Sequence, residues 1–182
     1  MTTAVTLHSI CHHEAAHGVI GHLIGQSFRS ITVNPLGVSS CYWYNTHFTV
    51  SHGMSWGVVV LLAGFAADEK YSNKKYDLES WHYEGDRLGI LELYEFARGD
   101  WNYKPLQSAL HDNLLPRTRS LVDKHWTTIE YVADYLLSEN RISRKPFLDI
   151  MEQHDIKPMM IRRPMTRQKK GRLLQMIRRK RT

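Results

Sequence analysis

The segment HHEAAHGVIGHLIG, residues 12–25, places a glutamate between two histidines in the order His13-Glu14-x-x-His17. On a helix, residues four positions apart lie above one another on the same face. The two imidazoles can therefore share one tetrahedral zinc ion, with bonds of about 2.0–2.1 Å. Glu14 is turned about 100° away from His13, so it flanks the metal without binding it. A carboxylate in that position can accept a proton from a zinc-activated water, which makes Glu14 the predicted catalytic base.

The chain has 11 histidines, so an accidental match has to be weighed. From the frequencies of histidine and glutamate, about 0.03 chance matches to H-E-x-x-H are expected in a chain of this length. The alternative to a zinc site is a histidine-rich helix on the surface. His8 and His12 are also four residues apart, but no glutamate lies between them. We therefore predict that this second pair is not a metal site.

The third zinc ligand is left open by this pattern. A metzincin would carry glycine at position 20 and histidine at position 23, where this chain has Ile20 and Leu23. That class is therefore excluded. Two acidic residues on later helical segments are candidates, namely Glu69 in AGFAADE and Asp86 in EGDRLGILEL.

The hydrophobic periodicity predicts a mainly α-helical fold with one small β-sheet. Helical patterns cover residues 8–23, 54–71, 86–98, 114–139 and 143–154, and strand patterns lie in RSITVNPLG and SCYWYNTHFTV. Gly25 stands where the first helix is expected to stop. Pro116 interrupts the fourth helical pattern early, and Ser143 is the predicted N-cap of the last helix.

The most apolar stretch, residues 54–67, has 14 residues. A membrane-spanning helix needs about 20, so this stretch is predicted to be a buried core helix. The N-terminus shows no basic start followed by an apolar run, and the two cysteines, Cys11 and Cys41, suit a reducing compartment. These features predict a cytoplasmic protein without a membrane span.

Charge divides the chain into two parts. Residues 157–182 contain 11 of the 24 basic residues and no acidic residue, whereas residues 1–156 contain all 18 acidic residues. We predict a folded domain over 1–156 and a flexible basic tail, Lys157–Thr182. The tail either binds nucleic acid or another anionic surface through phosphate contacts, or is only a solvated extension.

Five motifs in the same order over about residues 8–152 resemble the peptidase domain of the FtsH family, the membrane-anchored AAA+ zinc proteases. They are HHEAAHGVIGHLI, SITVNPLGVSSCYWY, LLAGFAADE, EGDRLGILELYEFA and LVDKHWTTIEYVADYLLSENRISRKPFLDIM. The chain differs from the family pattern at four positions, namely Ala16 for glycine, Leu36 for arginine, Phe65 for arginine and Gly85 for asparagine. None of the four differences removes a metal-binding or proton-transfer group.

The resemblance implies an FtsH-peptidase-like zincin fold and a zinc metalloendopeptidase. It assigns His13, His17 and Asp86 as zinc ligands and Glu14 as the catalytic base. The sequence contains no G-x-x-x-x-G-K-[ST] phosphate loop. The expected substrates are therefore unfolded or flexible polypeptide segments, unless an ATPase partner acts in trans. The alternatives are a nucleic-acid-binding regulatory protein with a protease-like fold, and another zinc hydrolase such as an amidase.

Overall fold

The computed structural model describes residues 6–34, 39–43, 54–76, 83–90 and 113–159. Within these residues the protein is mainly helical with a small antiparallel sheet, as predicted. The helices are α1 (Leu7–Leu23), α2 (Met54–Ser72), α3 (residues 84–90), α4 (Leu115–Lys124), α5 (Trp126–Glu139) and α6 (Arg144–Gln153). The strands are β1 (Phe28–Thr32), β2 (Ser40–Trp43) and β3 (Arg141–Ser143).

Both ends of α1 are set by local hydrogen bonds. At the N-terminus, the Thr6 hydroxyl accepts from the backbone N–H of Ser9, and the Ser9 side chain lies 3.2 Å from the Thr6 backbone nitrogen, as in a capping box. At the C-terminus, Gly25 adopts φ 80°, and Gln26 donates its backbone N–H to the carbonyl of Gly21 at 2.9 Å. This glycine-terminated ending confirms the predicted stop at Gly25.

Helix α1 is the centre of the structure. Every residue from Cys11 to Gly21 is buried, because α1 packs against α2 on one side and α5 on another. A helix that is buried all round belongs to a core rather than to a surface. The alternative of a histidine-rich surface helix is therefore wrong.

The sheet covers a further side of α1. Its strand order is β2-β1-β3, and both pairings are antiparallel, with Ile31 opposite Cys41 and Ile142. Gly18 lets this layer approach closely, since a Cβ atom there would lie 2.9 Å from Ile31 Cδ1 and 3.2 Å from Phe147 Cε2. A larger residue at position 18 would push the sheet and α6 away from the helix that carries the histidines.

The fourth helical pattern forms two helices rather than one interrupted at Pro116. Pro116 lies in the first turn of α4, where its missing N–H costs no hydrogen bond. The break falls at His125, which separates α4 from α5. Ser143 does precede α6 as predicted, but its side chain makes no capping hydrogen bond.

The apolar helix α2 is a buried core helix, as predicted, with nearly all residues from Val58 to Glu69 buried. Among the described helices, none combines the length and apolarity needed to cross a bilayer. The described chain ends at Met159, whose backbone N–H donates to the carbonyl of Leu23 at 2.6 Å. The predicted basic tail lies, from residue 160 on, outside the described residues, and so does the end of the predicted 86–98 helix.

Candidate metal centre

The two histidines of the H-E-x-x-H segment point to one place beside α2. Their rings meet edge to face, with centroids 4.7 Å apart and an interplanar angle of 84°. The Nε2 atoms of His13 and His17 lie 3.0 Å from each other. The helical spacing therefore brings both nitrogens to a common point, as the sequence predicts.

The third group at this point is the carboxylate of Asp86, on α3. Its Oδ2 atom lies 2.9 Å from His13 Nε2 and 3.2 Å from His17 Nε2. Tetrahedral zinc with bonds of about 2.0–2.1 Å holds neighbouring ligand atoms about 3.3 Å apart, so the triangle of three atoms is close to the size required. His13, His17 and Asp86 can hold a metal ion.

The hydrogen bonds on the outer nitrogens decide which ring atoms face this point. His17 Nδ1 lies 2.7 Å from the carbonyl oxygen of Val60, which only accepts, so Nδ1 must carry the proton. His13 Nδ1 lies 3.1 Å from Asp68 Oδ2 and donates to it in the same way. In the neutral rings both Nε2 atoms then present lone pairs to each other and to Asp86. Three electron-rich atoms at this spacing repel unless a cation lies among them.

The pKa values agree with this need for positive charge. Burial by itself would lower the pKa of His13, but Asp68 and Asp86 outweigh it and raise the pKa from 6.5 to about 10. Burial is likewise opposed at His17, where Asp86 raises the pKa. For Asp86, burial would raise the pKa, but the two histidines lower it well below its usual range. Without a metal, protons on the histidines supply the positive charge that balances the neighbouring carboxylates.

Zinc binding at pH 7.5 is therefore expected to release at least about one proton, because Nε2 of a ligating histidine must be deprotonated. The raised pKa of His13 means that its protonated form stabilises the metal-free fold fully below pH 6.5, and that this contribution is lost as the pH rises through about 10. Between pH 6.5 and about pH 10, the apparent zinc affinity should therefore increase about tenfold per pH unit for each proton that zinc displaces.

Calorimetric titration with zinc in two buffers of different ionisation enthalpy measures the number of protons directly. The His12→Gln variant serves as the control, because His12 lies outside the metal site and should leave the count unchanged. Binding without proton release at pH 7.5 would contradict the charge assignment of the three ligands.

Glu14 lies next to these ligands in a buried position, with only 5% of its surface exposed. Burial raises its pKa, while His17 and His13 act in the opposite direction. A carboxylate with a raised pKa accepts a proton from water more readily at neutral pH. The environment of Glu14 thus suits a general base.

The structure separates the two candidates for the third ligand. The Glu69 carboxylate accepts two hydrogen bonds from the Arg119 guanidinium, at 2.7 and 2.9 Å, and one from the backbone N–H of Tyr76 at 3.2 Å. The Glu69 carboxylate therefore links α2 to α4 through Arg119, whereas the Asp86 carboxylate lies beside the two histidines. The adjacent Asp68 is buried against His13.

His12 has a structural role. Its Nδ1 lies 2.7 Å from the backbone carbonyl of His8, and its ring contacts the rings of Tyr71, at a centroid distance of 4.6 Å, and Trp126, at 5.4 Å. These contacts hold the His12 ring in the core, and the absence of a metal site at His8 and His12 stays a prediction.

Two groups around the site were not found from the sequence. Tyr83 stacks on the ring of His13, with centroids 3.7 Å apart and planes 18° apart. Gly64 approaches the same ring so closely that a Cβ atom there would lie 2.4 Å from His13 Cε1. A glycine inside an otherwise apolar helix was the signal for the second contact, but the sequence does not show what it approaches.

The four differences from the FtsH pattern leave the ligand set intact where they are described. Ala16 and Phe65 are fully buried, and a Cβ atom at Gly85 would meet nothing within 4 Å. Leu36 lies outside the described residues.

No protein-family model matches the chain, and no curated protein matches it. The likeness to the FtsH peptidase therefore rests on the order of the sequence motifs. That family assignment, and the zincin fold it implies, remain predictions.

Proposed function

We propose that this protein is a zinc metalloendopeptidase with an FtsH-peptidase-like fold. The observation that supports this most is the meeting of His13 Nε2, His17 Nε2 and Asp86 Oδ2 within 3.2 Å of one another, with Glu14 buried beside them. The residues are those that the sequence pattern and the family resemblance assign to zinc and to proton transfer.

The roles follow from the chemistry of each group. His13, His17 and Asp86 would hold zinc, which supplies Lewis-acid activation of water. Glu14 accepts the proton of the attacking water and passes it to the departing amine. Asp68 and the Val60 carbonyl hold the two imidazoles with their Nε2 atoms toward the metal.

A ligand set of two histidines and one carboxylate also binds iron(II) in oxygen-dependent enzymes. Zinc is favoured here because Glu14 directly follows the ligand His13 and lies in a buried position, where a proton acceptor is needed for hydrolysis. Metal analysis of the purified protein distinguishes the two metals.

The sheet offers a place for the substrate. Among the described strands, β2 is at an edge of the sheet. Strand β2 packs against α1, the helix that carries Glu14 and the two histidines. We propose that the peptide adds as an extended strand beside β2, as peptides do at exposed sheet edges.

The test is hydrolysis of one substrate protein in a denatured and in a folded form. A folded domain is stable by about 5–15 kcal/mol, so its backbone is rarely free to join a sheet edge. The zinc-loaded chain is therefore expected to cleave the denatured form and to leave the folded form nearly intact. A chelator should abolish cleavage, and added zinc should restore it.

In the same experiment, each form of the substrate is tested with and without ATP and Mg²⁺. Because the sequence has no phosphate loop, ATP should not change the rate for the purified chain. Equal cleavage of both forms, or cleavage that survives the chelator, would contradict the proposed function. Stimulation by ATP only in a cell extract would instead indicate an ATPase partner in trans.

The second candidate is a nucleic-acid-binding protein with a protease-like fold. It is favoured by the basic segment Lys157–Thr182, with its 11 lysines and arginines and no acidic residue. A purely structural metal site needs no base at Glu14, and this favours the peptidase. Steeply salt-dependent binding to nucleic acid, together with no hydrolysis, would support the second candidate.

A further inference from the structure

The imidazole of His13 is enclosed on both faces by residues that are not ligands. Tyr83 stacks on one face at a centroid distance of 3.7 Å. On Gly64, a Cβ atom would lie 2.4, 2.6 and 2.7 Å from Cε1, Nε2 and Nδ1 of the same ring. Near-equal distances to three ring atoms put Gly64 over a face rather than at an edge. Because the stacked tyrosine fills one face, the glycine backbone occupies the other.

The edge of the ring opposite the metal point is held as well. Asp68 accepts from His13 Nδ1 at 3.1 Å. Gly64 and Asp68 are four residues apart on α2, so they lie on one face of that helix and reach the same imidazole. The Nε2 edge of His13 faces Asp86 and His17.

Tyr83 also has a connection to the third ligand through the chain. It lies three residues before Asp86, in the short segment that enters α3. The stack of Tyr83 on His13 therefore fixes the start of the segment whose next turn carries Asp86. Only about one-fifth of the Asp86 side chain is exposed, and α3 is further seated by Gly89 against Leu61.

We propose that Tyr83 and Gly64 form a slot that fixes the ring plane of His13, and that the Tyr83 stack docks the Asp86 segment so that the three ligands are assembled before the metal binds. Both are positioning residues. The inference rests on the metal site of the proposed function, but not on the reaction that the site performs.

Substitutions of Tyr83 distinguish the effect of aromatic stacking from the effect of apolar bulk. Loss of an outer partner of a metal ligand typically lowers metal affinity about 10–100-fold. We expect Tyr83→Ala and Tyr83→Leu to raise the zinc Kd at least about tenfold, because leucine keeps apolar bulk but cannot stack. Tyr83→Phe retains the ring and should stay within about threefold of the unsubstituted protein. The Kd is measured by competition with a chromogenic chelator, with Zn²⁺ as the only added ligand.

A pair of glycines provides a matched test of the other face. Gly64→Ala places its methyl group on the His13 ring and should raise the zinc Kd by a similar factor. Gly85→Ala, one residue before Asp86, adds the same methyl where nothing lies within 4 Å and should leave the Kd unchanged. The visible spectrum of the Co²⁺-loaded protein should change in Gly64→Ala and Tyr83→Leu, since a tilted imidazole alters the ligand field.

Unfolding of each metal-free variant is measured alongside, so that a general loss of stability is recognised. The expected result is a reduced zinc-dependent gain in stability, even where the metal-free fold is retained. An unchanged Kd and Co²⁺ spectrum in Tyr83→Leu would overturn the inference, and so would a Tyr83→Phe variant as weak as Tyr83→Ala. If the unsubstituted protein itself binds no zinc, the proposed function fails, whereas zinc binding that is indifferent to Tyr83 and Gly64 removes this inference alone.

Discussion

Glu14→Gln is expected to lower peptide hydrolysis by about 10²–10⁴-fold, the usual contribution of a positioned general base. Glutamine keeps the shape of the side chain but cannot accept the proton of the attacking water. Zinc should remain bound at full occupancy, because the proposed ligand atoms belong to His13, His17 and Asp86 and not to Glu14.

Stability distinguishes this loss from a damaged fold. Burial raises the pKa of Glu14, with His17 and His13 opposing, so the charged form is tolerated less well in the folded than in the unfolded chain. At neutral pH, a neutral glutamine should therefore not reduce the free energy of unfolding. Glu130→Gln, an exposed glutamate on α5, is the matched control and should keep full activity. Activity that survives in Glu14→Gln would remove the proposed mechanism.

Asp86→Ala is expected to produce the largest loss of metal affinity. It removes one of three ligand atoms, so the zinc Kd should rise more than about 100-fold, beyond the range typical of outer partners. It also removes the carboxylate that lies beside the Nε2 atoms of the two buried histidines, which are 3.0 Å apart. Zinc content after dialysis against a weak chelator measures the effect.

Two acidic residues serve as controls for Asp86. Glu84→Ala removes an exposed carboxylate two residues earlier on the same segment and should leave zinc occupancy unchanged. Glu69→Ala breaks the pair with Arg119. Because the Arg119 side chain is about one-third exposed, the loss of stability should be smaller than the ~3–5 kcal/mol typical of a fully buried pair that loses one partner. Loss of zinc in Glu69→Ala with retention in Asp86→Ala would move the third ligand to α2.

Some helix ends could be predicted from the local sequence and others could not. Gly25 ends α1 as predicted, because a glycine with positive φ closes the last turn without any distant contact. The break between α4 and α5 was misplaced at Pro116, since a proline is compatible with the first turn of a helix. His125, where the chain turns instead, carries no comparable local signal.

The pairing of His13 with His17 was determined by the sequence alone. Four residues along a helix always bring two side chains to the same face, so the shared metal point and the flanking place of Glu14 follow from local geometry. The mainly helical class with a small sheet followed in the same way from hydrophobic periodicity.

The position of Asp86 beside the two histidines is seen only in the tertiary structure. Asp86 is 73 residues from His13, and no local rule relates the two, so the residue pattern alone left Glu69 as a second candidate, and only the family resemblance pointed to Asp86. Asp68 and Glu69 are neighbours on α2, yet a turn of about 100° per residue sends one to His13 and the other to Arg119. Which of these directions faces the histidines depends on how α2 packs against α1 and α4, and that packing is a property of the whole core.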